Sequence, residues 1–265
     1  GHFQWMKFFS GKEQTVSEIN PYQQPQAELI DDNNPPAQPL TILAEPRKIS
    51  VGDALGWIGS GHKMLPGHWG VVLGALVVTV LITSAFQIIP LLGMIAQILA
   101  TPLLYAGIVK IFHRMETEGN SDFADLFAAF SDRTGPLILM ALAQLGVMLL
   151  LGAVFGGLGY ALGAGGAGTG AMIVIGLLGL VAMFGFVYLF YFTVPLIFLG
   201  NKGVGEAMKL SLRGFTRNVI PMIVYLLVTM VIVLVAALPL LLGWLFVMPI
   251  LAGAYYVSFR QIFVE

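Results

Sequence analysis

The chain has 265 residues, 57% of them hydrophobic and 10% charged, and its 13 Lys and Arg nearly balance its 14 Asp and Glu for a net charge of -1. A soluble domain of this composition, with mean hydropathy +0.87, could hardly cover its apolar surface with polar groups, so it points to a polytopic membrane protein. The charge balance argues against nucleic acid as a partner, and the absence of cysteine excludes disulfides, thiolate metal sites and cysteine nucleophiles.

The first 49 residues differ in kind. Gln, Asn, Pro and Glu dominate from Gly11 to Pro46, with clusters such as Asp31-Asp32-Asn33-Asn34-Pro35-Pro36. Such a stretch buries too little apolar area to offset its ordering entropy and is expected to be a flexible cytoplasmic tail. Phe3, Trp5, Phe8 and Phe9 form a short aromatic patch at its start. Met6-Lys7-Phe8-Phe9 leads into polar sequence and not into an apolar core, so no signal peptide is expected.

From residue 50 to 265 the pattern is that of a transmembrane domain. Apolar runs cover roughly Trp69 to Ile89, Leu91 to Val109, Gly135 to Leu162, Ala171 to Gly200, Asn218 to Leu238 and Leu240 to Ser258. Each suffices to cross a hydrocarbon core, which needs about 20 residues. The links within pairs (Gln87 to Gly93, Ala161 to Gly170, Ala237 to Leu242) carry no charge, whereas those between pairs carry Lys and Arg. By the positive-inside rule both termini are cytoplasmic, and the expected location is a bacterial inner membrane.

A short amphipathic segment precedes each pair, giving three helix-plus-hairpin repeats over about 50–118, 119–201 and 202–265. In the first, Ser50 and Asp53 form a capping pattern, and Trp57 and Trp69 suit the interface. In the second, Ser121 is the expected N-cap, and Phe123, Leu126, Phe127 and Phe130 follow helical spacing as one apolar stripe. In the third, Glu206, Lys209, Arg213 and Arg217 share one face and Val204, Met208, Leu212 and Phe215 another. The expected fold is all-α: six transmembrane helices with cytoplasmic amphipathic helices, the repeats related by rotation about the membrane normal. Pro102, Pro195, Pro221 and Pro249 are expected to kink or break spanning helices. The second hairpin is longer than the core demands, so it should tilt or project. Gly152 with Gly156, Gly159 with Gly163, and Gly70 with Gly74 are candidate close-packing pairs within the chain.

No ionisable residue falls at mid-depth of a span. Lys110, His113 and Arg260 lie near the inner ends, where they can reach headgroups. Gln97 and Gln144 are the most informative buried polar residues; each must bond across helices, the favoured arrangement, or face a hydrated cavity. His113, Glu116 and Glu118, or His62 and His68 with Asp53, could supply a metal or catalytic cluster, but their spacing defines no site. No catalytic, cofactor or metal residue is assigned, and no cofactor is expected.

Short motifs carry a resemblance. Asn20-Pro21-Tyr22-Gln23-Gln24-Pro25, then Gly56-Trp57 with Pro66 and Trp69, then Ala207 and Ser211 followed by Arg213, and last Tyr256 with Arg260, resemble the pattern of uncharacterised bacterial six-span inner-membrane families. These are the YciC-like proteins and the membrane domain attached to some glycerophosphodiester phosphodiesterases. The resemblance implies a fold relation and interfacial anchoring, and it transfers no catalytic residue.

The expected function is a non-enzymatic integral membrane module that binds membrane lipid, anionic in particular, or a partner membrane protein. Its basic collar of Lys202, Lys209, Arg213, Arg217, Arg114 and Arg133 would meet anionic headgroups. The alternative is a transporter or channel for an uncharged or amphiphilic solute, with a path lined by Gln97, Gln144 and tyrosines. An intramembrane enzyme working through His113 and Glu116 is the third and weakest expectation.

Overall fold

The structure, a computed structural model, describes residues 40–166, 168–239 and 242–265. The aromatic patch and the Asn20 to Pro25 motif lie outside the described residues. The regular structure of the described residues is helical, with one isolated antiparallel bridge from Ile42 to Val264. In chain order the helices are α1 (Val51–Met64), α2 (Trp69–Phe86), α3 (Leu92–Glu118), a 3₁₀ segment (Phe123–Phe130) and α4 (Thr134–Leu151). Helix α4 runs through a π turn (Gly152–Gly156) into α5 (Gly157–Ala164); α6 (Thr169–Tyr191), α7 (Thr193–Phe198), α8 (Val204–Arg217), α9 (Val219–Ala237) and α10 (Trp244–Phe263) follow. Among the described residues six helical stretches are long and apolar enough to cross a membrane: α2, α3, α4 with α5, α6 with α7, α9 and α10. The charged links gather at one end of this bundle, the charged end, and the apolar hairpin links at the other.

Residues 40–49 do not belong to a flexible tail. The Leu40, Leu43 and Arg47 amides donate to the Leu199, Phe263 and Ile262 carbonyls at 3.1, 2.8 and 2.8 Å, and Ile49 is buried. The apolar side chains scattered among the prolines fasten this segment along the charged ends of α7 and α10. Asn218, 1% exposed, completes the fastening: its side chain accepts from the Ile49 amide at 2.8 Å and donates to the Arg47 and Gly214 carbonyls, both at 2.9 Å.

The segments before the hairpins differ in detail from expectation. Helix α1 has its capping box: the Ser50 hydroxyl accepts from the Asp53 amide at 3.1 Å and the Asp53 carboxylate accepts from the Ser50 amide at 2.9 Å. Trp57, expected at the interface, is 1% exposed, because α1 docks on α9 and α10 and carries the indole inward. The second segment starts at Asp122, not Ser121, whose carboxylate caps the Ala124 amide at 2.9 Å. It is 3₁₀, and three residues per turn split the anticipated stripe. Leu126 and Ala129 turn fully inward, while Phe127 and Phe130, three apart on the other face, are exposed; Phe123, at the first position on the inner face, is 38% exposed and lies against Gly74. In α8 the burial of Ala207, Leu210, Ser211 and Gly214 creates a third face, between the apolar and charged ones, that packs on the bundle.

Proline breaks one span outright: α6 ends at Tyr191 and the chain restarts as α7, with Pro195 in its first turn. Pro102 and Pro249 lie inside continuous helices. Pro221 occupies the first turn of α9, where a missing amide costs no hydrogen bond. The anticipated glycine pairs do not mark close helix contacts. A Cβ on Gly70, Gly152, Gly156 or Gly159 would meet nothing within 4 Å. Tight approaches occur elsewhere: a Cβ on Gly107 would come within 2.0 Å of the Leu126 carbonyl oxygen, and one on Gly61 within 2.4 Å of the Ala254 nitrogen. Sequence spacing identifies small residues but not which of them a neighbour reaches.

Candidate functional site

A half-open chamber of about 420 Å³ lies between α2, α3, α4, α6, α7 and α10, with Tyr105 on its wall 51% exposed. Its walls are apolar apart from Thr101, Gln144 and three tyrosines, Tyr105, Tyr191 and Tyr255. The Pro102 turn of α3 and the α6–α7 break at Phe192 both border it, so the two distorted spans shape its walls. The Tyr255 hydroxyl donates to the freed Tyr191 carbonyl at 2.5 Å and so holds the broken end of α6 against α10. The Thr101 hydroxyl donates to the Gln97 carbonyl at 2.6 Å.

Gln144 is the sequence-predicted residue that the chamber contains. Its amide makes no hydrogen bond among the described residues and is half-buried in the chamber wall. The favoured expectation, a bond across helices, is therefore not met. Gln97 lies one turn beyond Thr101 on α3, is half-buried, and its side chain likewise has no hydrogen-bond partner among the described residues.

Two apolar side grooves adjoin the chamber. One, also about 420 Å³, lies between α6 and α9 and shares Tyr191 and Leu251 with it. These two helices barely meet, and Leu180 and Met183 on the groove wall are 53% and 49% exposed. The other, about 270 Å³, lies between α2 and α10, shares Leu76 and Met248 with the chamber, and is flanked by Trp244. The chamber thus has a groove of Leu, Val, Met and aromatic side chains on either flank, each separated from it by two shared wall residues.

At the charged end several ionisable residues pair with one another. Arg114 reaches Asp125 at 2.9 Å, Asp122 at 3.3 Å and Glu118 at 3.4 Å, and Lys110 approaches Asp125 at 3.6 Å. The Arg114 contact is too bent for a hydrogen bond and leaves the buried Asp125 Oδ2 without one. Burial pushes the Asp125 carboxyl above its ordinary value, against the pull of Arg114 and Lys110. The Tyr256 hydroxyl donates to Glu116 Oε2, the same oxygen that Arg260 Nε approaches at 2.9 Å. His113 Nδ1 lies 3.0 Å from that hydroxyl, and because the hydroxyl proton is committed to Glu116, Nδ1 is the donor. Lys110 and His113 are thus held by the chain's own groups, whereas Arg260 is engaged through Nε alone and its terminal nitrogens make no contact with an acid among the described residues.

No group of His, Asp and Glu able to hold a metal occurs among the described residues. His68 bonds the Ser121 hydroxyl at 2.9 Å, and the His62 ring stands edge-on to Trp69. The proposed collar divides. Arg114 is consumed by acids, Arg217 pairs with Glu45 at 2.6 Å, and Lys202 with Glu206 at 2.8 Å. Arg133 donates to the Ile197 and Lys202 carbonyls, bonding the final turn of α7. Lys209 and Arg213 are exposed on α8 and pair with no acid among the described residues.

The motif residues Ala207, Ser211 and Tyr256, expected as interfacial anchors, are buried joints. Ser211 accepts from the Phe192 amide at 3.0 Å and donates to the Tyr188 carbonyl at 2.7 Å, bridging the α6–α7 break. Comparison with known families, curated proteins and solved structures finds no match to this chain.

Proposed function

We propose that the chain is a non-enzymatic multi-pass membrane protein that binds a membrane lipid in the chamber, its acyl chains leaving through the two side grooves. The observation that carries this is a half-open chamber that shares wall residues with an exposed apolar groove on each flank. A hydrocarbon chain fits such a surface, and the chamber polar groups are uncharged, suited to an ester or hydroxyl. Lys209 and Arg213 would draw anionic lipid to the charged end, at about 1 kcal/mol for each basic residue near an anionic surface. The same proposal places the protein in a bacterial inner membrane with both termini cytoplasmic, and treats its three segment-plus-hairpin units as rotational repeats. It includes the fold relation to the YciC-like families, and a partner membrane protein on the exposed flanks.

Native mass spectrometry of protein released gently from its membrane tests this. A lipid adduct is expected for the wild type, and Ala252→Phe, which fills the chamber, should lower the number of bound lipids by one. A bare wild-type chain overturns lipid binding. The unbonded Gln144 amide favours one second reading, a path for an uncharged or amphiphilic solute. In that case Gln144→Leu, combined with Gln97→Leu, abolishes flux in vesicles; a binder keeps its lipid.

A further inference from the structure

Beside the Tyr256 network a shallow, open gap runs along the seam between the closely packed α1 and α10. They touch where Gly61 and Gly253 meet, and nearer its start α1 lines the gap with Gly52, Gly56 and Ser60, one per turn. The resulting polar pocket, about 470 Å³, is distinct from the chamber and holds charges of both signs. Arg47 and Arg260 supply two guanidinium groups; Asp53, Glu116 and Glu265 supply three carboxylates.

Part of this charge is already used. One oxygen of Asp53 takes both the Ser50 amide, at 2.9 Å, and the Ser50 hydroxyl, at 2.7 Å. These bonds hold the Asp53 carboxyl below its ordinary value, so it is ionised. One oxygen of Glu116 accepts from the Tyr256 hydroxyl and lies 2.9 Å from Arg260 Nε in an ion pair. Among the described residues, the Arg47 guanidinium, the terminal nitrogens of Arg260, the other oxygens of Asp53 and Glu116, and the Glu265 carboxylate make no hydrogen bond or ion pair within the chain. A simple anion entering here meets three carboxylates, and a simple cation meets two guanidiniums. A ligand with both charges close together meets each with its opposite.

We propose that this pocket binds a zwitterionic phosphoethanolamine group, its phosphate on Arg47 and the outer nitrogens of Arg260, its ammonium toward Asp53 and Glu265. Guanidinium forks suit phosphate oxygens, and an ammonium offers three donors to carboxylates. A quaternary choline offers none, so the pocket discriminates between the two headgroups. Trp57, buried beneath the pocket and bonded to Gln261, separates it from Tyr225 of the side groove, 5.1 Å away between ring centroids. The group has two sources, a lipid headgroup or its free soluble form.

The test uses the full chain in phosphatidylcholine nanodiscs. Calorimetric titration with glycerophosphoethanolamine reads the soluble source; native mass spectrometry after adding phosphatidylethanolamine to the discs reads the lipid source. Binding of either probe supports the pocket if Arg47→Gln weakens it about tenfold, as expected for loss of a charge-assisted contact, and if Gly56→Leu abolishes it. A Cβ on Gly56 meets nothing within 4 Å, so leucine there fills the gap without disturbing α1. Lys63→Gln, at an exposed lysine outside the pocket lining, should leave affinity unchanged. Binding of neither probe, equal binding of glycerophosphocholine, or wild-type affinity in both pocket variants overturns the proposal. Ala252→Phe, which fills the chamber, leaves this binding intact, so the two sites fail independently.

Discussion

The two ends of the bundle are built on opposite principles. At the charged end, backbones and rings interlock: Gly107 under Leu126, Gly61 against Gly253, Gly214 beneath Phe263, with Trp57, Phe112, Phe259 and Phe263 fully buried. Toward the other end tight contact is confined to the hairpin turns, where Gly93 lies against Phe86 and Gly243 against Ala236; elsewhere the helices separate, and Ile88, Tyr160 and Leu238 are each 80% exposed. The α4–α5 stretch of 31 residues is about 46 Å long at 1.5 Å per residue, against a hydrocarbon core of about 30 Å. The difference teaches that shape is specified where polar groups and tight contacts coincide. Where every surface is apolar, the surrounding hydrocarbon can replace a helix neighbour at little cost.

Substitutions can break this contrast. The largest effect is expected for Gly107→Val, since no rotamer removes a Cβ within 2.0 Å of a backbone oxygen. The 3₁₀ segment must then lift off α3, at about 3 kcal/mol. Thermal unfolding in detergent, followed by size-exclusion chromatography, should show a large drop or no folded peak. Asn218→Ala comes next: it orphans the Ile49 amide and two carbonyl partners of a fully buried amide, with an expected loss of about 2 kcal/mol. The same melt reads it, and proteolysis near residues 40–49 should accelerate.

Gly156→Ala is the counter-case from the splayed region. Its Cβ meets nothing, and alanine favours helix by up to about 1 kcal/mol, so the melting temperature should hold or rise slightly. A drop as large as that of Gly107→Val would erase the contrast between the ends. The smallest effect concerns pH. The Arg217 side chain holds the Glu45 carboxyl below its ordinary value by hydrogen bond and charge. A depressed acid contributes stability above its unfolded value and loses it as pH falls through the folded one. Glu45→Gln should therefore destabilise slightly near neutrality and not below the carboxylate range, checked by melts across pH.

The joints of the charged end were only half legible. The resemblance singled out Tyr256, Arg260, Ala207 and Ser211 as anchors at the interface. Their partners, Glu116, the Tyr188 carbonyl and the Phe192 amide, lie far off in sequence or on backbone that a helix break exposes. The stripe from Phe123 to Phe130 was visible as apolar, but its division followed from 3₁₀ winding against Gly107. Gln144 was legible as a polar residue needing an outlet; the chamber that provides one is walled by six separate helices.

The sequence by itself determined the number of spans, their approximate limits, and the confinement of charge to one set of links. Those properties are local, because about 20 apolar residues in a row and the sign of the flanking groups set them without reference to neighbours. Tertiary structure alone decided which glycines are crowded, which basic residues are spent on acids, and where the chamber and the polar pocket open. Those depend on helix adjacency. Among helices this uniformly apolar, hydropathy cannot choose a neighbour, and a few hydrogen bonds and close contacts do.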